Sequence, residues 1–291
     1  MRARVLLALA AGALAGAARA AAPDAADPEE LRFEREGKLV RALSLAELRA
    51  RCAPLEVEVD DPYYERRKRF LALPLGCVLA LGFGAPAASD PDASFFLRAR
   101  DGYVRPATGR RLAEPGGYLA FADAERGAQA APRFEPIDRR QLDPGPFYLV
   151  WQGEGRNDPH RYPWPYQLAA IEIAPFEARF PHTLPRGAPP GSPAWSGFEI
   201  FAGECIACHA INGEGGRVGP DLNVPKSIVE YRPEVQIKAF VRDPESFRYT
   251  SMPAHPHLSE ADLDALVAYF RAMRERKRDP RREASAGAEG S

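Results

Sequence analysis

Cys205, Cys208 and His209, in the run Cys205-Ile206-Ala207-Cys208-His209, constrain this chain more than any other residues in it. Two cysteines three apart, with a histidine directly after the second, are the attachment signature of a c-type haem. At a helix end this spacing lets each thiol add to one vinyl group of a porphyrin while the histidine ring turns toward the iron. Histidine is a common haem ligand, and the other axial group sets much of the potential. The competing reading is a zinc site, which takes four Cys and His ligands at loop spacings. His255 and His257 are the residues that would complete it.

A length of 291 residues suggests about two domains. An apolar content of 45% is enough for packed cores, and 29 prolines favour loops and short elements over long helices. The formal net charge of −1 gives no electrostatic case for nucleic acid. Residues 1–20 read as a secretory signal: Arg2 and Arg4 precede an apolar run over residues 5–18, and Ala18-Arg19-Ala20 is a small-x-small cleavage site. The run is shorter than a membrane span requires; the alternative is an uncleaved anchor. No cysteine stands at the cleavage site, which argues against a lipid anchor. Cleavage after Ala20 removes Arg2, Arg4 and Arg19 and takes the formal charge from −1 to −4.

Residues 21–30 are rich in Ala, Asp and Pro and read as a flexible leader, with order expected from about Leu31. Ser44 and Glu47 fit a capping box that opens a short helix. Residues 55–59 alternate apolar and charged, as in a half-buried strand. Pro74 suits the first turn of a helix running through Leu81 and ending near Gly82 and Gly84. Asp101-Gly102, between Phe95-Phe96-Leu97 and Tyr103-Val104, predicts a hairpin. Residues 118–121, 147–151 and 167–173 read as further strands. Residues 31–180 are thus expected to form an α+β domain rich in short strands. Residues 181–195 hold Pro181, Pro185, Pro189, Pro190 and Pro193 and are expected to be a semi-rigid linker; the alternative is an ordered strap lying across the first domain.

Several motifs in the first domain are weakly similar to small members of the sulfite-oxidase-like molybdopterin-binding fold. They are a Leu-rich short helix, an Asp-Pro-Tyr strand exit, Asp-Gly-Tyr, Gly-Pro-Phe-Tyr-Leu-Val-Trp and Tyr-Pro-Trp-Pro, within residues 33–175. That family holds molybdenum through a cysteine thiolate, and the candidates here are Cys52 and Cys77. Cys77 lies in an apolar helix-like run that departs from the family pattern, so molybdopterin is not the expected cofactor. In an exported chain the two cysteines could instead pair as a disulfide, or each could be a small buried apolar residue.

Residues 196–278 resemble a class I cytochrome c, an all-α domain, with specific motifs. Gly197 and Phe201 precede Cys205 by eight and four positions, where that family lets its first helix cross its last. The matching last helix begins with a capping box over Ser259-Glu260-Ala261-Asp262, and Leu263, Leu266, Val267 and Phe270 recur at helical spacing. Tyr269 and Leu266 resemble the family's partners for Gly197 and Phe201. Gly213, Gly215 and Gly216 supply a turn around one haem edge. The resemblance implies that the Pro220 carbonyl accepts a hydrogen bond from His209. It also implies that Met252, in Tyr249-Thr250-Ser251-Met252-Pro253, is the sixth ligand, with His255, His257 or an open position as rivals. Met273 is expected to pack in the last helix. Ile237, Phe240, Val241 and Tyr249 are expected to line the pocket, and Arg248 to pair with a propionate or stand exposed. The basic run Arg271, Arg274, Arg276, Lys277, Arg278, Arg281 and Arg282 suits a helix C-terminus, and residues 279–291 read as a disordered tail.

Three functions compete on this reading. The first is an electron carrier of the periplasm, the compartment where c-type haem is attached in bacteria, with redox proteins as donor and acceptor and no catalysis of its own. The second is a haem-containing molybdopterin oxidoreductase or its cytochrome subunit. The third is a haem sensor whose iron is open to ligands.

Overall fold

The computed structural model describes residues 29–137 and 141–283. The expected signal (1–20), nearly all of the leader and the end of the tail lie outside the described residues. The described chain opens with a hairpin of β1 (Glu30–Arg35) and β2 (Lys38–Ser44). Ser44 then caps α1 (Leu45–Arg51) through the expected reciprocal bonds with Glu47. The hairpin of β3 (Leu55–Asp61) and β4 (Arg66–Pro74) follows. Pro74 starts α2 (Leu75–Phe83), and Gly84, at φ 85°, stops it before the single turn α3 (Ala85–Ala88). Asp101-Gly102 does turn β5 (Ser94–Ala99) into β6 (Val104–Thr108). Next come α4 (Gly109–Leu112), β7 (Gly117–Asp123), β8 (Tyr148–Trp151), β9 (Leu168–Ile173) and α5 (Phe176–Arg179).

These strands form two sheets, ordered β2-β1-β9-β5-β6 and β3-β4-β7-β8. β1 pairs parallel with β9, and the other neighbours pair antiparallel. Phe33 and Phe95 of the first sheet, Phe70 and Trp151 of the second, and Leu79 of α2 share one buried core. Gly82 lets α2 touch β1, since a Cβ there would lie 2.0 Å from the Phe33 ring. Cys52, at the end of α1, and Cys77, in α2, form a disulfide with Cα atoms 5.9 Å apart.

Successive side chains of a strand point to opposite faces, yet Phe95, Phe96 and Leu97 are all buried. Phe95 and Leu97 face the first core, whereas Phe96 belongs to a second core built mainly from residues after 200. The five-stranded sheet is therefore covered on both sides at β5, and the C-terminal part of the chain supplies the second cover.

That part begins with α6 (Pro193–Ile200), which runs on through a π turn at Phe201–Cys205. Strands β10 (Ala210–Ile211) and β11 (Glu214–Gly215) pair about Asn212-Gly213. Helices α7 (Ile228–Tyr231), α8 (Glu234–Arg242) and α9 (Glu260–Arg274) complete it. The expectation of an all-α domain is corrected by the small hairpin. Asn212 and Gly213 both hold positive φ (57° and 81°), the conformation an Asn-Gly turn adopts in a two-residue hairpin. α6 crosses α9 at Gly197, where a Cβ would stand 1.9 Å from the Ala265 carbonyl oxygen and 2.8 Å from Tyr269 Cβ.

The proline-rich stretch is corrected as well. It is an ordered strap, and it lies on the C-terminal part rather than across the first domain. Thr183 and Leu184 are buried, Tyr269 donates its hydroxyl to the Thr183 carbonyl at 2.7 Å, and Trp195 Nε1 donates to the Ala188 carbonyl. Proline stiffness sets the path, and α9 fixes where it rests. Rings of both parts meet beneath it, with Phe96 to Phe180 centroids 5.2 Å apart and Phe176 to Phe198 5.7 Å apart.

In the first domain Lys68 and Asp123 form a buried ion pair on β4 and β7, with Glu135 as a second acceptor 2.9 Å from Lys68 Nζ. Removing Asp123 leaves the buried Lys68 ammonium with the more exposed Glu135 as its remaining partner. Asp123→Ala is expected to lower unfolding stability by about 1.5–3 kcal/mol, the worth of one hydrogen bond to a charged group, read from urea denaturation; a loss below about 0.5 kcal/mol would contradict this account of the pair.

Candidate functional site

The π turn after α6 sets the position of the cysteine motif. Ile206 N–H reaches back five residues to the Phe201 carbonyl at 2.8 Å. A single such widened turn inside a helix is a frequent feature of functional sites. Directly after it, Cys208 N–H and His209 N–H both donate to the Cys205 carbonyl, at 3.1 and 2.9 Å. Cys205, Cys208 and His209 therefore share one turn of chain, and all three border one pocket.

His209 is fixed by what lies behind it. Its Nδ1 is 2.9 Å from the Pro220 carbonyl oxygen, so that nitrogen carries the proton and donates it, leaving Nε2 as the ligating atom. Gly219 lies flat against the ring, where a Cβ would fall 2.4 Å from Cε1. Burial pushes the imidazole pKa down, and the Pro220 bond opposes that only in part. Metal ligation needs the neutral form.

Burial also pushes the Cys205 thiol up to about 12 and that of Cys208 up to about 11. Among the described residues, His255 and His257 converge with Glu204 and His160, and neither cysteine joins them. The zinc reading of the cysteine motif is thus overturned by where the histidines sit.

The rest of the pocket wall is largely apolar. Ile237, Phe240 and Val241 of α8 line it, joined by Leu266 and Phe270 of α9. Met252 lines the same pocket, in a loop where its N–H donates to Thr250 Oγ1 at 3.1 Å. Met273 is buried in α9 away from the pocket, so Met252 is the thioether the described residues offer there. Tyr249 does not line the pocket as expected: it is 97% exposed. Arg248 borders the pocket and stacks on Phe240 at 5.4 Å. The basic run after it is largely paired, with Arg271 on Glu234, Arg274 on Glu275 and Lys277 on Glu230.

Two thiols, an imidazole with its tautomer fixed and a thioether, around an apolar slot, fit a haem. The alternative molybdenum site does not fit its group. Cys52 and Cys77 are tied to each other, so neither offers molybdenum a thiolate. Sequence reasoning passed over Asn212 and Asn223, whose buried amides join the hairpin to the end of α9: Asn223 Nδ2 donates to Asn212 Oδ1 at 2.9 Å and to the Met273 carbonyl at 2.8 Å. The Asn212-Gly213 pair was the signal for that hairpin. It also missed His160 and Glu204, which lie 44 positions apart and share no local pattern.

Residues 194–274 match the cytochrome c family, and this part of the chain is a cytochrome c domain. Cytochrome c oxidase subunit 2 of Alkalihalophilus pseudofirmus is 36% identical over 86 residues, which is 27% of this chain and 25% of that protein. Lupanine 17-hydroxylase (cytochrome c) of a Pseudomonas species is 41% identical over 84 residues, 28% of this chain and 11% of that protein. The chain thus spans 25% or less of either relative's length. The domain implies a haem cofactor, an electron-transfer role and redox partners. Among the described residues no helix is long and apolar enough to cross a membrane.

Gly219→Val would drive a side chain into the His209 ring. The variant is expected to fold with a lower haem-to-protein ratio and an altered Soret band, measured by absorption against protein content; an unchanged ratio and band would contradict the role given to Gly219.

Proposed function

We propose that this chain carries one haem, attached covalently through Cys205 and Cys208 and ligated by His209 and Met252, and that it passes electrons between redox proteins in the periplasm. The observation that carries the proposal is a single turn holding both thiols and His209, with the Met252 thioether on the same pocket. When bound, the haem supplies a one-electron iron couple. The protein does the rest. Pro220 holds His209 in one tautomer and keeps Nε2 basic. The apolar walls from α8 and α9 exclude water, and a Met/His pair raises the potential. The signal-like residues 1–20 support export. Both relatives are named as parts of redox systems, which supports a redox enzyme as partner. The strand-rich first domain serves in this reading as a packing and docking module, because its candidate molybdenum ligands form a disulfide.

Met252→Ala tests the ligand assignment. The variant is expected to keep its haem, to show a lower midpoint potential, and to bind carbon monoxide when reduced, which the parent does not do at neutral pH. An unchanged potential with no carbon monoxide uptake would sink the assignment.

A further inference from the structure

A second group of potential ligands lies where the two domains meet, beside the haem pocket that Glu204 and His255 also border. His160 Nδ1 stands 2.7 Å from Glu204 Oε2, His255 Nδ1 3.5 Å from the same oxygen, and His257 Nε2 3.6 Å from Glu204 Oε1. One ligand atom from each of the four residues lies within 4.8 Å of every other. The His160 ring is 4.7 Å from that of His257 and 5.6 Å from that of His255, centroid to centroid. His255 is 3% exposed, yet its Nδ1 makes no hydrogen bond and faces into the cluster. A buried nitrogen left without a hydrogen bond calls for an explanation, and an ion held there is one.

The two sides of the cluster are held in place independently of any ion. His160 sits on a loop between β8 and β9 that is pinned by Trp164 Nε1 on the Arg156 carbonyl (2.8 Å) and Trp151 Nε1 on the Pro163 carbonyl (2.7 Å). Glu204 sits in the π turn. One guanidinium, Arg105 on β6, donates to the Gly203 carbonyl at 2.6 Å and to the His160 carbonyl at 3.0 Å, and so sets the two segments against each other. His255 is held from α8, its N–H donating to the Val241 carbonyl at 3.2 Å.

We infer that His160, Glu204, His255 and His257 form a binding site for one divalent transition-metal ion of the zinc and copper class, clamping the strand-rich domain to the cytochrome c domain. Three imidazoles and a carboxylate are ligands these metals accept. Metal–ligand bonds of 2.0–2.2 Å place tetrahedral ligand atoms roughly 3.3 Å apart. The observed separations bracket that value, so small side-chain rotations close the shell. The site uses none of the residues assigned to hold the haem, although Glu204 and His255 border its pocket; zinc affinity and the haem spectrum read the two sites separately.

The test is calorimetric titration of the metal-stripped, full-length protein with zinc chloride, alongside His160→Gln and His257→Gln. The first variant removes the strand-rich domain's ligand, and the second removes an exposed one. The parent is expected to bind one zinc per chain with a rise in melting temperature. Replacing groups that merely support metal ligands costs about 10–100-fold in affinity, so loss of a ligand should cost more than about 100-fold. Both variants should keep the parent's haem spectrum. Absence of stoichiometric zinc binding by the parent, or parent-like affinity in both variants, would overturn the inference.

Discussion

The contact of α6 with α9 at Gly197 is the constraint on which the rest of the C-terminal structure depends. With a Cβ 1.9 Å from the Ala265 carbonyl, no side chain larger than hydrogen permits the crossing. Because the helices touch backbone to backbone there, Phe201 lies against Tyr269 with ring centroids 5.3 Å apart, and the π turn that follows delivers Cys205 to the pocket edge. Tyr269 extends the same constraint outward, since its hydroxyl holds the Thr183 carbonyl and with it the proline-rich strap. A change at position 197 would therefore be felt at the cysteine motif and at the domain junction together.

The junction is close to the chemistry. Val104 N–H, at the start of β6, donates to the Ala207 carbonyl inside the cysteine motif at 2.9 Å. Gly102, at the tip of the β5–β6 hairpin, accepts from Arg217 N–H at 2.9 Å. The strand-rich domain is thus hydrogen-bonded to the segment that carries the two thiols, and burial of Phe96 on the outer face of β5 seals the contact. An electron carrier works with little rearrangement when its redox group sits in a rigid frame, and here part of that frame comes from the neighbouring domain.

Much of this was legible in local sequence. The cysteine motif, the Ser44 and Ser259 caps, Pro74 and the Asp101-Gly102 turn each act within a few residues, and Gly197 and Phe201 stood at a fixed spacing before the cysteines although they act on α9; the structure shows the corresponding elements. Strand β2 was passed over because it is an edge strand whose residues 38–41 are all exposed, so no apolar alternation marks it. The proline content of residues 181–195 signalled stiffness, but the surface that receives the strap is set by Tyr269, far away in sequence. Tyr249 misled because an aromatic beside a ligand loop reads as a pocket wall, whereas its backbone carries it into solvent. The pairing of Cys52 with Cys77 depends on how α1 and α2 pack, which spacing does not encode. His255 and His257 stood out in the sequence as possible metal ligands, but their convergence with His160 and Glu204 depends on a contact between domains that no local pattern encodes.

The most direct test of the central claim, that one turn of chain holds a covalently attached haem, is iron quantification together with haem-peroxidase staining of the purified protein on a denaturing gel. The account predicts one iron per chain and a stain that migrates with the polypeptide after denaturation. Haem that leaves the denatured chain, or a chain without stoichiometric iron, would contradict it.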